Sequence, residues 1–167
     1  IMDMASLASV KAAGDALAAA GAPLDVLLNN AGVIHTTRRE TVDGFEETLA
    51  VNHFAPFLLT GLLLPQLQMP QSARIVNVAS QAYTLVKDMG FDDMQSIKSY
   101  KTFREYGRSK LANILFSRSL AQRLKGQDIT VNSLHPGAVS TSLGTQNGFF
   151  GKLLPLLLKP FFRTPEQ

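Results

Sequence analysis

The sequence predicts an α/β fold built on a doubly wound parallel sheet, and three observations point to it. Three short runs rich in Val, Ile and Leu, at residues 25–29, 74–79 and 129–134, have the length and composition of buried parallel strands, and small or polar residues follow each. Helical spacing of apolar residues lies between them, so the order is helix, strand, helix, strand, helix, strand, as right-handed crossovers require. With 46% hydrophobic and 17% charged residues among 167, the composition suits one substantial core and not a disordered chain. No repeat, low-complexity tract or linker divides the sequence, so residues 1–167 are expected to form one domain or part of one.

Each helix has its own signals. Residues 6–20 are Ala-rich with Leu7, Val10 and Leu17 broadly on one face, and the run stops at Gly21 with Pro23 just beyond. Asp43 is expected to cap a helix reaching toward Leu67, while residues 109–124 carry Leu111, Ile114, Leu115 and Leu120 at helical spacing before Gly126. Residues 81–105 form a long insertion of mixed polarity, which in an α/β fold belongs at the carboxyl end of the sheet, where ligands bind.

Composition narrows the function classes. The net charge of +3 and pI near 9.3 are mildly basic, but Lys and Arg are scattered instead of forming the stripe that a nucleic-acid surface needs, so no nucleic acid is expected as partner. The absence of Cys removes disulfides, thiolate metal sites and cysteine nucleophiles, and fits a reducing compartment; a cytoplasmic location is expected. His35, His53 and His135 show no metal-ligand spacing, and the first two read as isolated structural or surface histidines. No basic n-region leads into an apolar core near Ile1. The most apolar segment, residues 149–162, contains two lysines and two prolines and is shorter than the ~20 residues a spanning helix needs. A substrate-pocket flap or packed short helix is the favoured reading there, over a peripheral membrane anchor.

The chemistry concentrates in a few residues. Tyr106 and Lys110 stand four apart, so on a helix they share a face, and an ammonium near a phenol lowers a pKa that is about 10 when unperturbed. A phenol so tuned exchanges a proton with an alcohol or carbonyl. Spacing alone is weak: Tyr83 and Lys87 repeat it, three residues after Ser80, in the insertion and without an apolar helix behind them, and are read as a decoy. Ser80 ends the strand that begins at Arg74, where its hydroxyl can donate to a substrate oxygen; a lone serine there would be a turn residue, and Tyr106 downstream favours the functional reading. Asn29-Asn30-Ala31-Gly32 follows an apolar strand and alone could be a turn. Asn52 sits in an apolar helical stretch and needs a partner, either a backbone group or a water leading to Lys110.

In this order, Asn29-Asn30-Ala31-Gly32, Asn52, Ser80, Tyr106-x-x-x-Lys110 and Pro136-Gly137 resemble the short-chain dehydrogenase/reductase family over nearly the whole chain. Val51-Asn52-His53-Phe54, Ser109-Lys110-Leu111-Ala112-Asn113 and Leu134-His135-Pro136-Gly137 look like its retinol dehydrogenase-like branch. The resemblance implies a Rossmann-like sheet and hydride transfer between a nicotinamide cofactor and a hydrophobic alcohol, aldehyde or ketone. It implies Tyr106 as acid/base, Ser80 as carbonyl polariser, Lys110 as Tyr106 activator and nicotinamide-ribose ligand, and Asn52 as anchor of a relay water. Asn29, Ala31 and Gly32 would line the cofactor, Pro136, Gly137, Val139 and Thr141 would border the nicotinamide, and Asp3 would lie beside the adenine. NADP(H) is favoured over NAD(H).

The family's glycine-rich phosphate turn is not in the sequence. If Asp3 holds its family position, the fold here is incomplete, lacking two βα units, on the order of 60 residues, together with a C-terminal helix and strand. The strand at 25–29 would then present a flat apolar edge, and the chain alone would bind cofactor poorly. A non-catalytic fragment or pseudoenzyme acting through partner binding is the alternative. A homodimer through the helices at 43–67 and 109–124 is also compatible with the sequence.

Overall fold

The computed structural model describes residues 1–137. Val, Ile and Leu concentrate in three strands, β1 (Val26–Asn29), β2 (Ala73–Val78) and β3 (Ile129–Leu134), which form a parallel sheet in the order β1-β2-β3. The register runs straight across, with Leu27 beside Ile75 and Ile75 beside Val131, so side chains of like parity share a face. Helix α1 (Leu7–Ala19) precedes β1. A continuous helical run over Glu47–Leu67 links β1 to β2, made of α2 (Glu47–Leu49), a π-turn at Ala50–Phe54 and α3 (Ala55–Leu67). Helix α4 (Thr102–Arg123) links β2 to β3.

The core lies between one face of the sheet and the helices. Val10 of α1, Ala55, Leu59, Leu63 and Leu67 of α3, and Leu124 beyond α4 pack on Leu27, Ile75 and Ile129. Gly14 lets α1 approach α3, since a Cβ there would stand 2.7 Å from Leu62 Cδ1. The other face is different from what the apolar runs suggest. Val26 and Leu28 are about half exposed and Arg74 and Thr130 are exposed, so among the described residues the helices cover one side of the Rossmann-like sheet and β1 is an edge strand.

Two local expectations need correction. Asp43 does not cap the helix toward Leu67: its Oδ2 accepts from the Leu7 amide at the start of α1, at 2.8 Å. Glu46 takes that role, accepting from the amides of Thr48 and Leu49, each at 2.8 Å. Helix α4 begins at Thr102, seven residues before the expected 109, so Tyr106 stands inside it. The 81–105 insertion also contains two short 3₁₀ turns, Gln81–Leu85 and Phe91–Asp93.

Candidate active site

Pro56 shapes the first element of the candidate site. It has no N–H to offer the carbonyl of Asn52 four residues earlier, and the helix passes through this point as the π-turn. Asn113 Nδ2 of α4 donates to that carbonyl at 2.9 Å, and Asn113 Oδ1 meets His53 Nδ1 at 3.0 Å. The Asn52 side chain is fully buried: Oδ1 accepts from the Val33 amide at 2.7 Å, while Nδ2 donates to the Val33 carbonyl at 3.0 Å and to Ser109 Oγ at 2.9 Å. Of the two partners open to Asn52 from sequence, the structure therefore shows backbone groups. Ser109 Oγ in turn donates to the Tyr106 carbonyl at 2.7 Å, tying the π-turn to the Tyr106–Lys110 stretch of α4.

Ser80 stands two residues past β2 and caps the following 3₁₀ turn, its Oγ accepting from the Ala82 amide at 3.2 Å. Tyr106 is buried beside it. Burial pushes its phenol above the ordinary tyrosine pKa, and the Ser80 hydrogen bond pulls it partly back. Gly107 makes this approach possible, because a Cβ there would lie 2.5 Å from the Ala82 carbonyl oxygen. The carboxyl end of β3 joins the same corner, where His135 Nδ1 accepts from the Gln81 amide at 3.3 Å.

Lys110 is buried as well. Its Nζ donates to the Val78 carbonyl at 2.9 Å and lies 5.5 Å from the centre of the Tyr106 ring. Loss of hydration lowers its pKa to about 8. The expected lowering of the Tyr106 pKa by Lys110 is not what the structure shows: the amine points to a backbone carbonyl, and desolvation dominates both groups. Tyr83 and Lys87, by contrast, are exposed, and the 3₁₀ turn ending at Leu85 gives them no shared helix face.

The cofactor candidates divide. Gly32 abuts the site: a Cβ would meet Asn52 Oδ1 at 3.3 Å and Lys110 Nζ at 3.5 Å, so a side chain here would crowd both. Ala31, Pro136 and Gly137 are exposed near the carboxyl ends of β1 and β3. Asn29 is buried and committed to the core, its Nδ2 donating to Asn77 Oδ1 at 2.8 Å and Thr60 Oγ1 at 3.1 Å. Asp3 is exposed and accepts from the Ala5 amide at 2.9 Å ahead of α1. Val139, Thr141 and the apolar 149–162 segment lie outside the described residues. Sequence reasoning missed Gly107, Ser109 and Asn113 as parts of the site; Pro56 was the signal that a carbonyl near Asn52 lacked its helical donor.

Known proteins share this pattern. The family model for short chain dehydrogenase matches residues 1–148. Retinol dehydrogenase 14 of Homo sapiens is 46% identical over 99% of this chain and 50% of its own length. Retinol dehydrogenase 12 of Mus musculus is 41% identical over 99% and 52%. The chain thus spans about half the length of the curated relatives it matches. Among solved structures, an uncharacterized protein from Mycobacterium paratuberculosis superposes with a TM-score of 0.72 at 33% identity, covering 93% of this chain and 56% of that one. The NADPH-bound carbonyl reductase from chicken fatty liver gives 0.63 at 27% identity, covering 85% and 58%. The chain belongs to the short-chain dehydrogenase family, in its retinol dehydrogenase-like branch.

Proposed function

We propose that the protein carrying this chain is an NAD(P)-dependent oxidoreductase acting on a hydrophobic alcohol, aldehyde or ketone, with Tyr106 as its proton donor and acceptor. The observation that carries this reading is the buried Tyr106 phenol beside the Ser80 hydroxyl, with Lys110 behind it on the same helix face. Gly32, Lys110, Pro136 and Gly137 would hold the nicotinamide end of the cofactor, and the absence of a side chain at Gly32, close to Lys110 Nζ and Asn52, supports that assignment. Among the described residues, Lys110 Nζ spends one donor on Val78, which leaves N–H groups for a ribose hydroxyl. The bound cofactor supplies the hydride.

The chain's own residues handle the proton. A phenol held above its ordinary pKa is protonated at neutral pH, the state in which Tyr106 Oη donates to a carbonyl oxygen; in the reverse direction its phenolate form accepts the proton of the alcohol. Ser80 Oγ, no longer occupied by the phenol alone, donates to the same oxygen where negative charge develops. Asn52, locked between Val33 and Ser109, fixes the wall behind Lys110. NADPH is the proposed cofactor, supported by the carbonyl reductase relative with NADPH and by a Burkholderia cenocepacia short-chain dehydrogenase solved with NADP. The retinol dehydrogenase relatives support an apolar substrate. The test is NADPH and NADH titration, with aldehyde reduction followed at 340 nm, on the protein expressed from its complete reading frame and on its Tyr106→Phe variant. Cofactor-dependent reduction that the variant loses is expected; no binding of either nucleotide overturns the reading.

A further inference from the structure

One buried face of α4 is polar where a helix packed in a core is normally apolar. Tyr106, Ser109, Lys110, Asn113 and Ser117 follow one another at helical spacing, so they share that face, and all are buried. Tyr106, Ser109 and Lys110 border the candidate site directly. Asn113 stands one turn beyond them, is 3% exposed, and has both ends of its amide engaged with the π-turn.

The chemistry of these contacts fixes their direction. Pro56 has no N–H, so the buried Asn52 carbonyl lacks its helical donor, and a carbonyl can only accept. Asn113 therefore turns its NH2 group to that carbonyl, at 2.9 Å, and its oxygen to His53 Nδ1, at 3.0 Å; the opposite setting would press two oxygens together. An amide oxygen also only accepts, so His53 carries its proton on Nδ1 and orients the Asn113 amide. The imidazole is itself held among Phe54, Phe57 and Phe116, with ring centroids 5.8, 6.0 and 6.1 Å away. Ser117, one turn further on, donates to the Asn113 carbonyl and leaves the Asn113 side chain to the π-turn.

Asn52 is what these contacts hold. Asn113 grips its backbone from α4, while its side chain reaches the other way, to the amide and the carbonyl of Val33. A Cβ on Gly32 would stand 3.3 Å from Asn52 Oδ1 and 3.5 Å from Lys110 Nζ, so Gly32, Asn52 and Lys110 meet at one point. We infer that Asn113 is a positioning residue for the nicotinamide end of the cofactor: by donating to the Asn52 carbonyl, with its own amide oriented by His53, it holds the π-turn so that the Asn52 side chain fixes Gly32 and Val33 beside Lys110. This inference rests on the proposed function for its effect on cofactor affinity, but not for its effect on Val33. The Asn113 amide bonds neither the Tyr106 phenol nor the Ser80 hydroxyl, so their chemistry is left in place.

The experiment uses the protein expressed from its complete reading frame and compares wild type with Asn113→Asp, His53→Leu, His53→Asn and Ser117→Ala. Amide hydrogen exchange at Val33, the NADPH Kd from its fluorescence, and kcat for decanal at saturating NADPH are measured. Asn113→Asp keeps the size and the oxygen facing His53 but sets a carboxylate oxygen against the Asn52 carbonyl. Val33 exchange is expected to rise about tenfold or more with β2 unchanged, and Kd about tenfold with kcat within about threefold. His53→Leu should shift exchange and Kd the same way by about threefold, while His53→Asn, which returns an N–H near the place of Nδ1, should restore both to within about twofold of wild type. Ser117→Ala breaks two buried bonds on the same helix face, to the Asn113 carbonyl and from Asn77 Nδ2. It should lower Tm yet leave Kd within about twofold, which separates placement from a general loss of stability. Unchanged Val33 exchange or unchanged Kd in Asn113→Asp, an equal rise of Kd in Ser117→Ala, or equal effects of the two His53 variants overturns the inference. If Asn113→Asp does not fold, the His53 pair decides. If wild type binds no NADPH, the proposed function falls, and Val33 exchange alone then decides whether Asn113 holds Asn52 in place.

Discussion

Tyr106 and Lys110 share their spacing with Tyr83 and Lys87, yet the two regions have nothing else in common. The first pair lies inside a 22-residue helix, both side chains buried, with Ser80 against the phenol. The second straddles the end of a 3₁₀ turn, where both side chains face solvent. Burial makes the difference: it raises the Tyr106 pKa and lowers that of Lys110, whereas water would screen an exposed pair. A four-residue spacing becomes a chemical device only where a helix and a dry environment support it.

The largest separation between the two regions is expected from removing each hydroxyl. Tyr106→Phe should lower kcat by about 10²–10⁴-fold, the usual contribution of a general acid, while Tyr83→Phe should stay within about twofold. Steady-state reduction kinetics on both variants checks this, and equal losses would erase the contrast.

Next in size is Gly107→Ala, which would force a methyl group to within 2.5 Å of the Ala82 carbonyl. The turn after Ser80 must then retreat from α4. A displacement near 1 Å at a reacting group is worth about 10²-fold in rate, and the strain should cost about 1–3 kcal/mol of stability. Thermal melts together with kcat test it; a variant that melts lower but reacts normally would show that Ser80 is positioned from elsewhere.

Smaller, and opposite in sign for stability, is Lys110→Met. The lysine pKa is about 8 in the folded chain and 10.5 ordinarily, so the unfolded state binds the proton more tightly. The buried ammonium therefore destabilises the fold fully below pH 8, and that penalty fades as pH rises toward 10.5. After allowing about 1 kcal/mol for the lost bond to Val78, Lys110→Met should be more stable than wild type at pH 7 by roughly 2 kcal/mol. The gain should vanish near pH 10, and cofactor binding should weaken. Lys87→Met should change neither. Denaturant melts at pH 7 and pH 10 give the answer, and a destabilised Lys110→Met at pH 7 would contradict the burial account.

What the sequence made legible follows from physics that acts locally. Strand runs of Val, Ile and Leu placed β1, β2 and β3 within a residue or so, because burial in a parallel sheet demands that composition. The start of α4 was hidden because its first turns bury Glu105, Arg108, Ser109 and Lys110, so no apolar period announces them. Asp43 misled because a capping carboxylate is recognised by its neighbours in sequence, while its actual acceptor contact is with Leu7, 36 residues away. The Tyr106–Lys110 electrostatics were misread for a related reason: spacing fixes which face the two share, but not which carbonyl the amine finds.

The π-turn at Ala50–Phe54 gives the chain one extra residue relative to a regular helical ladder over the same length. Each residue of an α-helix turns the chain by about 100°, so that insertion sets the phase between what precedes it and Ala55–Leu67. Deleting a single residue there would let the helix close up smoothly while swinging Asn52 out of reach of Val33 and Ser109. Length changes that a surface loop would absorb silently would, at this point, unlock the Asn52 anchor without breaking the helix that carries it.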